Sequence, residues 1–153
     1  MKIMDFLKEN AISADLKSTD KEGIIREMIG LLSDAQAIKD KDKIVKILLE
    51  REALGSTGIG QGVAIPHGKS AGIKDLVAAF GISRSGVNYD SLDGEPVYIF
   101  FLLVAPEDSA GPHLKALARI SRLLKDKYFR DTLRGAPDAK SLIKTIRAED
   151  GKK

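Results

Sequence analysis

Val97-Tyr98-Ile99-Phe100-Phe101-Leu102-Leu103-Val104-Ala105 is the longest apolar run in the chain. It is rich in aromatic and branched residues and shows no polar alternation. It falls well short of the roughly 20 residues a membrane-spanning helix needs. A short apolar run of this kind reads as a strand buried on both faces, so helices are expected on both sides of its sheet. Leu76 to Ile82 reads the same way, and Asp93-Gly94 between the two runs marks a turn.

Helical periodicity flanks these strands on both sides. Residues 18–34 predict a helix, with Thr19 and Glu22 in capping-box spacing and Ile24, Ile25, Met28, Ile29 and Leu32 on one face. Residues 41–52 predict a second, with Asp40 as cap and Ile44, Ile47 and Leu48 as its apolar face, on which Arg51 also falls. After the strands, Pro112 to Lys125 predicts a helix whose apolar face is Leu114, Leu117, Ala118 and Leu124. Tyr128–Arg134 and Asp138–Arg147 follow as helical pieces separated by Gly135-Ala136-Pro137, and residues 149–153 read as a frayed tail. With no linker or repeat, residues 1–153 form one α/β domain.

Composition narrows the function. The chain has 153 residues and no cysteine, which removes disulfides, thiolate nucleophiles and cysteine-based zinc sites together. Its 25 Lys and Arg nearly balance 22 Asp and Glu, so the net charge of +3 does not argue for nucleic acid. Aromatic residues make up 5%, too few for a base-stacking platform. Met1 to Asn10 is interrupted by Asp5, Lys8 and Glu9, unlike a signal peptide, so a cytoplasmic protein with no direct membrane insertion is expected.

Gly55-Ser56-Thr57-Gly58-Ile59-Gly60-Gln61-Gly62-Val63-Ala64-Ile65-Pro66-His67-Gly68 holds five glycines in fourteen residues and no formal charge. Each glycine inside a helix costs about 1 kcal/mol, so this stretch reads as a tight loop with a short extended piece at Val63-Ala64-Ile65. Gly58-x-Gly60-x-Gly62 is not a dinucleotide fingerprint, and Gly62-Val63 is not the end of a phosphate-binding P-loop. Two distant histidines without metalloprotease spacing make a weak metal site.

Three residues could carry chemistry. His67 sits between a proline that fixes the entering backbone and a glycine that lets the chain turn. An exposed loop histidine is the ordinary reading, but dense glycine lets backbone N–H groups approach a small anion. His113 falls in the first turn of a helix, whose positive end favours anions and lowers an imidazole's pKa; a partly buried ring is the bland alternative. Arg51 on an apolar face needs an acceptor: a carboxylate or the last carbonyls of its own helix on the ordinary reading, or an oxyanion or phosphate in a pocket.

Arg51-Glu52-x-x-Gly55-Ser56-Thr57-Gly58-Ile59-Gly60 and Gly62-Val63-Ala64-Ile65-Pro66-His67-Gly68 resemble the active-site signature of enzyme IIA domains of the bacterial phosphotransferase system. The similarity is to the mannitol/fructose type, nearest the nitrogen-regulatory PtsN-like subgroup. Pro112-His113-Leu114-x-x-Leu117 resembles the family's second histidine motif, and Gln61 stands where many relatives have asparagine. The resemblance implies an α/β single domain with a central mixed β-sheet flanked by helices on both faces. It implies a phosphoryl relay in which His67 is phosphorylated at Nε2 (tele-phosphohistidine) by HPr or its nitrogen-branch relative. It places His113 and Arg51 beside the phosphoryl group and Ser56 and Thr57 as phosphate-binding residues. The group then passes to a IIB domain, or its presence signals to regulatory target proteins. Transfer between two imidazoles needs positioning and charge stabilisation, so no cofactor or metal is called for. The stand-alone length favours the regulator; a transport IIA component and a non-catalytic anion-binding module are the alternatives. The apolar loop residues Ile59, Val63 and Ile65 could face a partner or the core.

Overall fold

The structure is a computed structural model, and it describes residues 1–152. Six strands form one mixed sheet: β1 (Leu7–Ser13), β2 (Gly58–Gly60), β3 (Val63–Ala64), β4 (His67–Ser70), β5 (Val77–Val87) and β6 (Val97–Pro106). The order is β1-β5-β6-β3-β2, with β4 also paired to β6. β1 runs parallel to β5, β5 and β6 are antiparallel, and β3 and β4 both run parallel to β6. Five helices pack around it: α1 (Lys21–Asp34), α2 (Lys41–Ala53), α3 (Ala110–Leu123), α4 (Lys127–Arg134) and α5 (Ala139–Gly151). Among the described residues no helix is long and apolar enough to cross a membrane.

The apolar run around Phe100 is the centre of the molecule, as its sequence implies. Successive side chains of a strand point to opposite faces. Ile99, Phe101 and Leu103 enter a core completed by Ile120, Phe129, Leu133 and Ile146 of α3 to α5. Phe100, Leu102 and Val104 enter the other, against Ile25, Met28 and Ile29 of α1 and Leu48 of α2. Both faces of β6 are therefore dry, which is why it carries no polar alternation.

Four details depart from the sequence reading. The cap of α1 is Asp20, whose carboxylate accepts the Gly23 N–H at 2.7 Å, rather than Thr19. β1 has no counterpart among the predicted strands. The buried face of α3 is His113, Ala116, Ile120 and Leu123, while Leu114 is 67% exposed. The tail is not frayed through its described part, because α5 continues to Gly151 with Glu149 and Asp150 buried. The Asp150 carboxylate accepts the Ile3 N–H at 2.6 Å and the Arg119 Nε–H at 2.7 Å, which anchors the last turn. Lys153 lies outside the described residues.

The glycine-rich loop is more ordered than a loop. Gly58 begins β2, and a Cβ placed on it would lie 2.9 Å from the Ser91 Cα. The Gly58 carbonyl accepts the Leu92 N–H at 3.0 Å, so the two backbones are held together at that point. Gly58→Ala should therefore force them apart and cost about 1–3 kcal/mol, the usual range for overpacking. Its urea midpoint should fall relative to that of the natural protein; an unchanged midpoint would show that the strand gives way freely.

Candidate active site

The site is built where β3 breaks and resumes as β4. Ala64 pairs with Phe100 and His67 with Leu103, so three steps on one strand match three on the other and the register is kept across the break. The Leu103 N–H donates to the Pro66 carbonyl at 2.9 Å. Pro66 has no N–H to give, and the polar groups of Ile65 go elsewhere. The Ile65 N–H donates to the Thr57 carbonyl at 3.0 Å. The Ile65 carbonyl lies 2.7 Å from His67 Nδ1, so Nδ1 carries the proton and donates it. The lone pair of the neutral ring is then on Nε2.

His67 is half-buried and opens on a pocket of about 440 Å³ lined also by Arg51, Gly68, Lys69 and His113, with Ile47, Glu50 and Leu54 around it. Gly68 lets α2 pack closely, since a Cβ there would press on Leu48 Cδ1 at 3.0 Å and Ile47 Cγ2 at 3.1 Å. His113 comes from the first turn of α3, where its N–H donates to the Ser109 carbonyl at 3.0 Å. Its ring is 5% exposed and meets that of His67 edge-on, with centroids 5.6 Å apart and planes at 74°. His113 Nε2 is buried with no hydrogen-bond partner. An unpaired buried polar atom is costly and marks a place where a ligand group can be received.

Both imidazoles are biased toward the neutral form. For His67, burial lowers the pKa and outweighs the Ile65 carbonyl, which favours the charged ring; Arg51 lowers it and Glu52 raises it. For His113, burial first, then His67 and Lys69, press the pKa to about 4. The direction is the one the helix position suggests, but burial is the leading cause. The sign for stability follows by linkage: the unfolded ring binds a proton near its ordinary 6.5 while the folded ring resists until about 4. Stability tied to His113 is complete above 6.5 and lost as pH falls toward 4, by up to about 3 kcal/mol. Urea unfolding at pH 7.5, 5.5 and 4 should show the natural protein losing more stability than His113→Gln over that range. Parallel losses would remove His113 as the cause.

Arg51 finds a backbone acceptor and also faces the pocket. Its Nη1 donates to the Gly55 carbonyl at 2.9 Å, just past the end of α2, and the same side chain lines the pocket. Ser56 and Thr57 are not brought to the pocket. The Ser56 hydroxyl donates to the Tyr89 carbonyl at 3.2 Å and accepts the Gly58 N–H at 3.0 Å. Thr57 is 4% exposed, and its hydroxyl contacts Glu52 and Tyr89. Val63 and Ile65 belong to the core, whereas Ile59 is 47% exposed. Lys69 was missed by sequence reading because an exposed lysine on a short strand carries no pattern. Glu52 was missed although it is readable: it follows Ile44 and Leu48 at four-residue steps, on the row that faces the core.

Nitrogen regulatory protein IIA-Ntr from Neisseria meningitidis superposes with a TM-score of 0.87 at 34% identity, over 94% of this chain and 98% of that one. In sequence, the nitrogen regulatory protein of Bradyrhizobium diazoefficiens is 36% identical over 146 residues, 95% of each chain. The fructose-specific EIIABC component of Bacillus subtilis is 39% identical over 150 residues, 98% of this chain but only 24% of that longer protein. Residues 5–149 match the family model of the phosphoenolpyruvate-dependent sugar phosphotransferase system, EIIA 2, and the chain belongs to that family.

Proposed function

We infer that the chain is a phosphoryl carrier that accepts a phosphoryl group on His67 Nε2 from a phosphohistidine of HPr or its nitrogen-branch relative. The observation that carries this reading is the Ile65 carbonyl on Nδ1, which leaves Nε2 as the nucleophilic nitrogen beside the unpartnered Nε2 of His113. In the transfer a bond forms from His67 Nε2 to phosphorus, and the donor's N–P bond breaks. Its electron pair returns to a donor ring whose other nitrogen carries a proton, so the donor leaves as a neutral imidazole; His67 keeps its Nδ1 proton and takes up the ring's positive charge, and no proton has to move. His113 as an N–H donor, with Arg51 and Lys69 as cations, would stabilise the phosphoryl oxygens.

Downstream, the nitrogen-type regulator is the first reading, supported by the match to a nitrogen regulatory protein over nearly all of both chains. Phosphorylation would add about −1.5 to −2 of charge at neutral pH and change what docks around the pocket. Transfer to a fructose- or mannitol-type IIB domain is the second, supported by the fructose-specific relative. The test mixes the protein with enzyme I, phosphoenolpyruvate and either HPr or its nitrogen-branch counterpart, and maps the product by mass spectrometry at alkaline pH. One phosphoryl group on His67 is the expected result, with faster labelling by the nitrogen-branch carrier if the regulator reading holds. A folded protein labelled by neither carrier would leave only an anion-binding module.

A further inference from the structure

We propose that buried Glu52 is a positioning residue for His67, acting through Thr57 and Ile65 to hold the imidazole in its Nδ1–H tautomer. The proposal rests on the carrier reading of His67. Glu52 is the last buried residue of α2 and its side chain is 4% exposed. Three donors converge on its carboxylate. The Thr57 N–H reaches Oε1 at 3.1 Å, the Lys21 ammonium reaches Oε1 at 3.2 Å, and the Thr57 hydroxyl meets Oε2.

The direction of these bonds is fixed by proton count. A carboxylate only accepts, so the Thr57 hydroxyl spends its single proton on Glu52. Thr57 Oγ1 must then accept from the Tyr89 hydroxyl, 3.1 Å away. Tyr89 has no exposure, and burial with the nearby Glu52 charge pushes its pKa up, so it keeps that proton. The Lys21 ammonium also lies over the Tyr89 ring, 4.9 Å from the centroid. Three stretches distant in sequence, around Lys21, Glu52–Thr57 and Tyr89, are thereby tied together at one carboxylate.

What this fixing controls is Ile65. The Thr57 carbonyl holds the Ile65 N–H, and the Ile65 carbonyl holds His67 Nδ1–H. Nothing on β6 takes either role. If Thr57 shifts, the Ile65 peptide groups lose the partner that turns them from the strand, and His67 loses the acceptor that selects its tautomer. The protonated nitrogen would then be Nε2 in part of the molecules, and that part cannot attack phosphorus.

The test compares Thr57→Val, which keeps shape and removes the hydroxyl, with Thr57→Ser, which restores it. Two readouts are taken: the ¹⁵N shifts of the imidazoles in the unphosphorylated protein, and the rate of phosphoryl acceptance from HPr. The chain has only two histidines, so the spectrum resolves both rings. Thr57→Val should show a mixed His67 tautomer and accept about 10–100-fold more slowly, as small misplacements of reacting groups do. Thr57→Ser should recover both. A folded Thr57→Val with an unmixed Nδ1–H tautomer or the natural rate overturns the proposal. Should Thr57→Val not fold, Tyr89→Phe removes only the donor to Thr57 Oγ1 and should shift both readouts in the same direction; no shift in either overturns it. The spectrum needs no carrier, so a natural protein that is never labelled sinks the carrier reading separately.

Discussion

His67→Ala should abolish phosphoryl acceptance, leaving no label above background with any carrier. The pocket holds one other imidazole, and His113 cannot substitute for it. His113 is 5% exposed whereas His67 is half-buried at the pocket, so an incoming carrier meets His67 first. The loss should be chemical and not structural, because His67 meets β6 through its backbone, which alanine keeps. The side chain gives up the bond to the Ile65 carbonyl, worth about 1 kcal/mol net, and its edge-on contact with the His113 ring. The decisive pair of measurements is therefore acceptance rate and thermal midpoint on the same sample. A variant that melts normally and still becomes labelled at the natural rate would move the nucleophile elsewhere.

His113→Ala should slow acceptance about 10²–10³-fold, the range for removing one preorganised donor to developing charge, while the same residue remains phosphorylated. The unpartnered Nε2 of His113 is the reason for the expected loss. A buried donor without an acceptor destabilises the resting protein, and a phosphoryl oxygen would supply the acceptor. The interaction would then be made only with the transferring group, which is the condition for it to lower a barrier. Stability should drop less than for a core truncation, since alanine also removes the unsatisfied nitrogen. Arg51→Ala should act in the same direction but more weakly, because one guanidinium nitrogen is already spent on the Gly55 carbonyl. Single-turnover labelling followed by rapid quench separates these rates, and an unchanged rate in His113→Ala would take it out of the site.

Much of this was written in local sequence pattern. The doubly buried β6 demands helices on both faces, and the aspartate at position 40 caps α2 by accepting the Lys43 N–H at 3.3 Å. Three of the residues that line the pocket, Arg51, His67 and His113, were each marked by a mismatch between residue type and place. The misses share a physical cause, which is that tertiary partners decided them. β1 has exposed Lys8, Glu9 and Asn10 in succession and is a strand because β5 offers it hydrogen bonds. On α3 the leucines read as the apolar stripe, but a histidine takes the core row and Leu114 is left outside. Before α1 the sequence points to Thr19 as the cap, but it is the Asp20 carboxylate that accepts the Gly23 N–H. Thr57 beside a glycine-rich loop resembles a phosphate ligand until burial assigns its hydroxyl to Glu52.

The Asp150 clasp has a consequence for how the chain comes together. It joins Ile3 to a residue 147 positions away, so the polypeptide is nearly a ring. Such a contact is formed against the closure entropy of almost the whole chain, which grows slowly with loop length but must be met before the contact gives anything back. The α3–α5 layer therefore receives its anchor to the N-terminal turn late in folding, when the sheet is already paired. Circular permutation reverses that order: with residues 2 and 152 bridged by a short link and the chain opened at the exposed Ala71-Gly72 turn, the same clasp becomes a local contact.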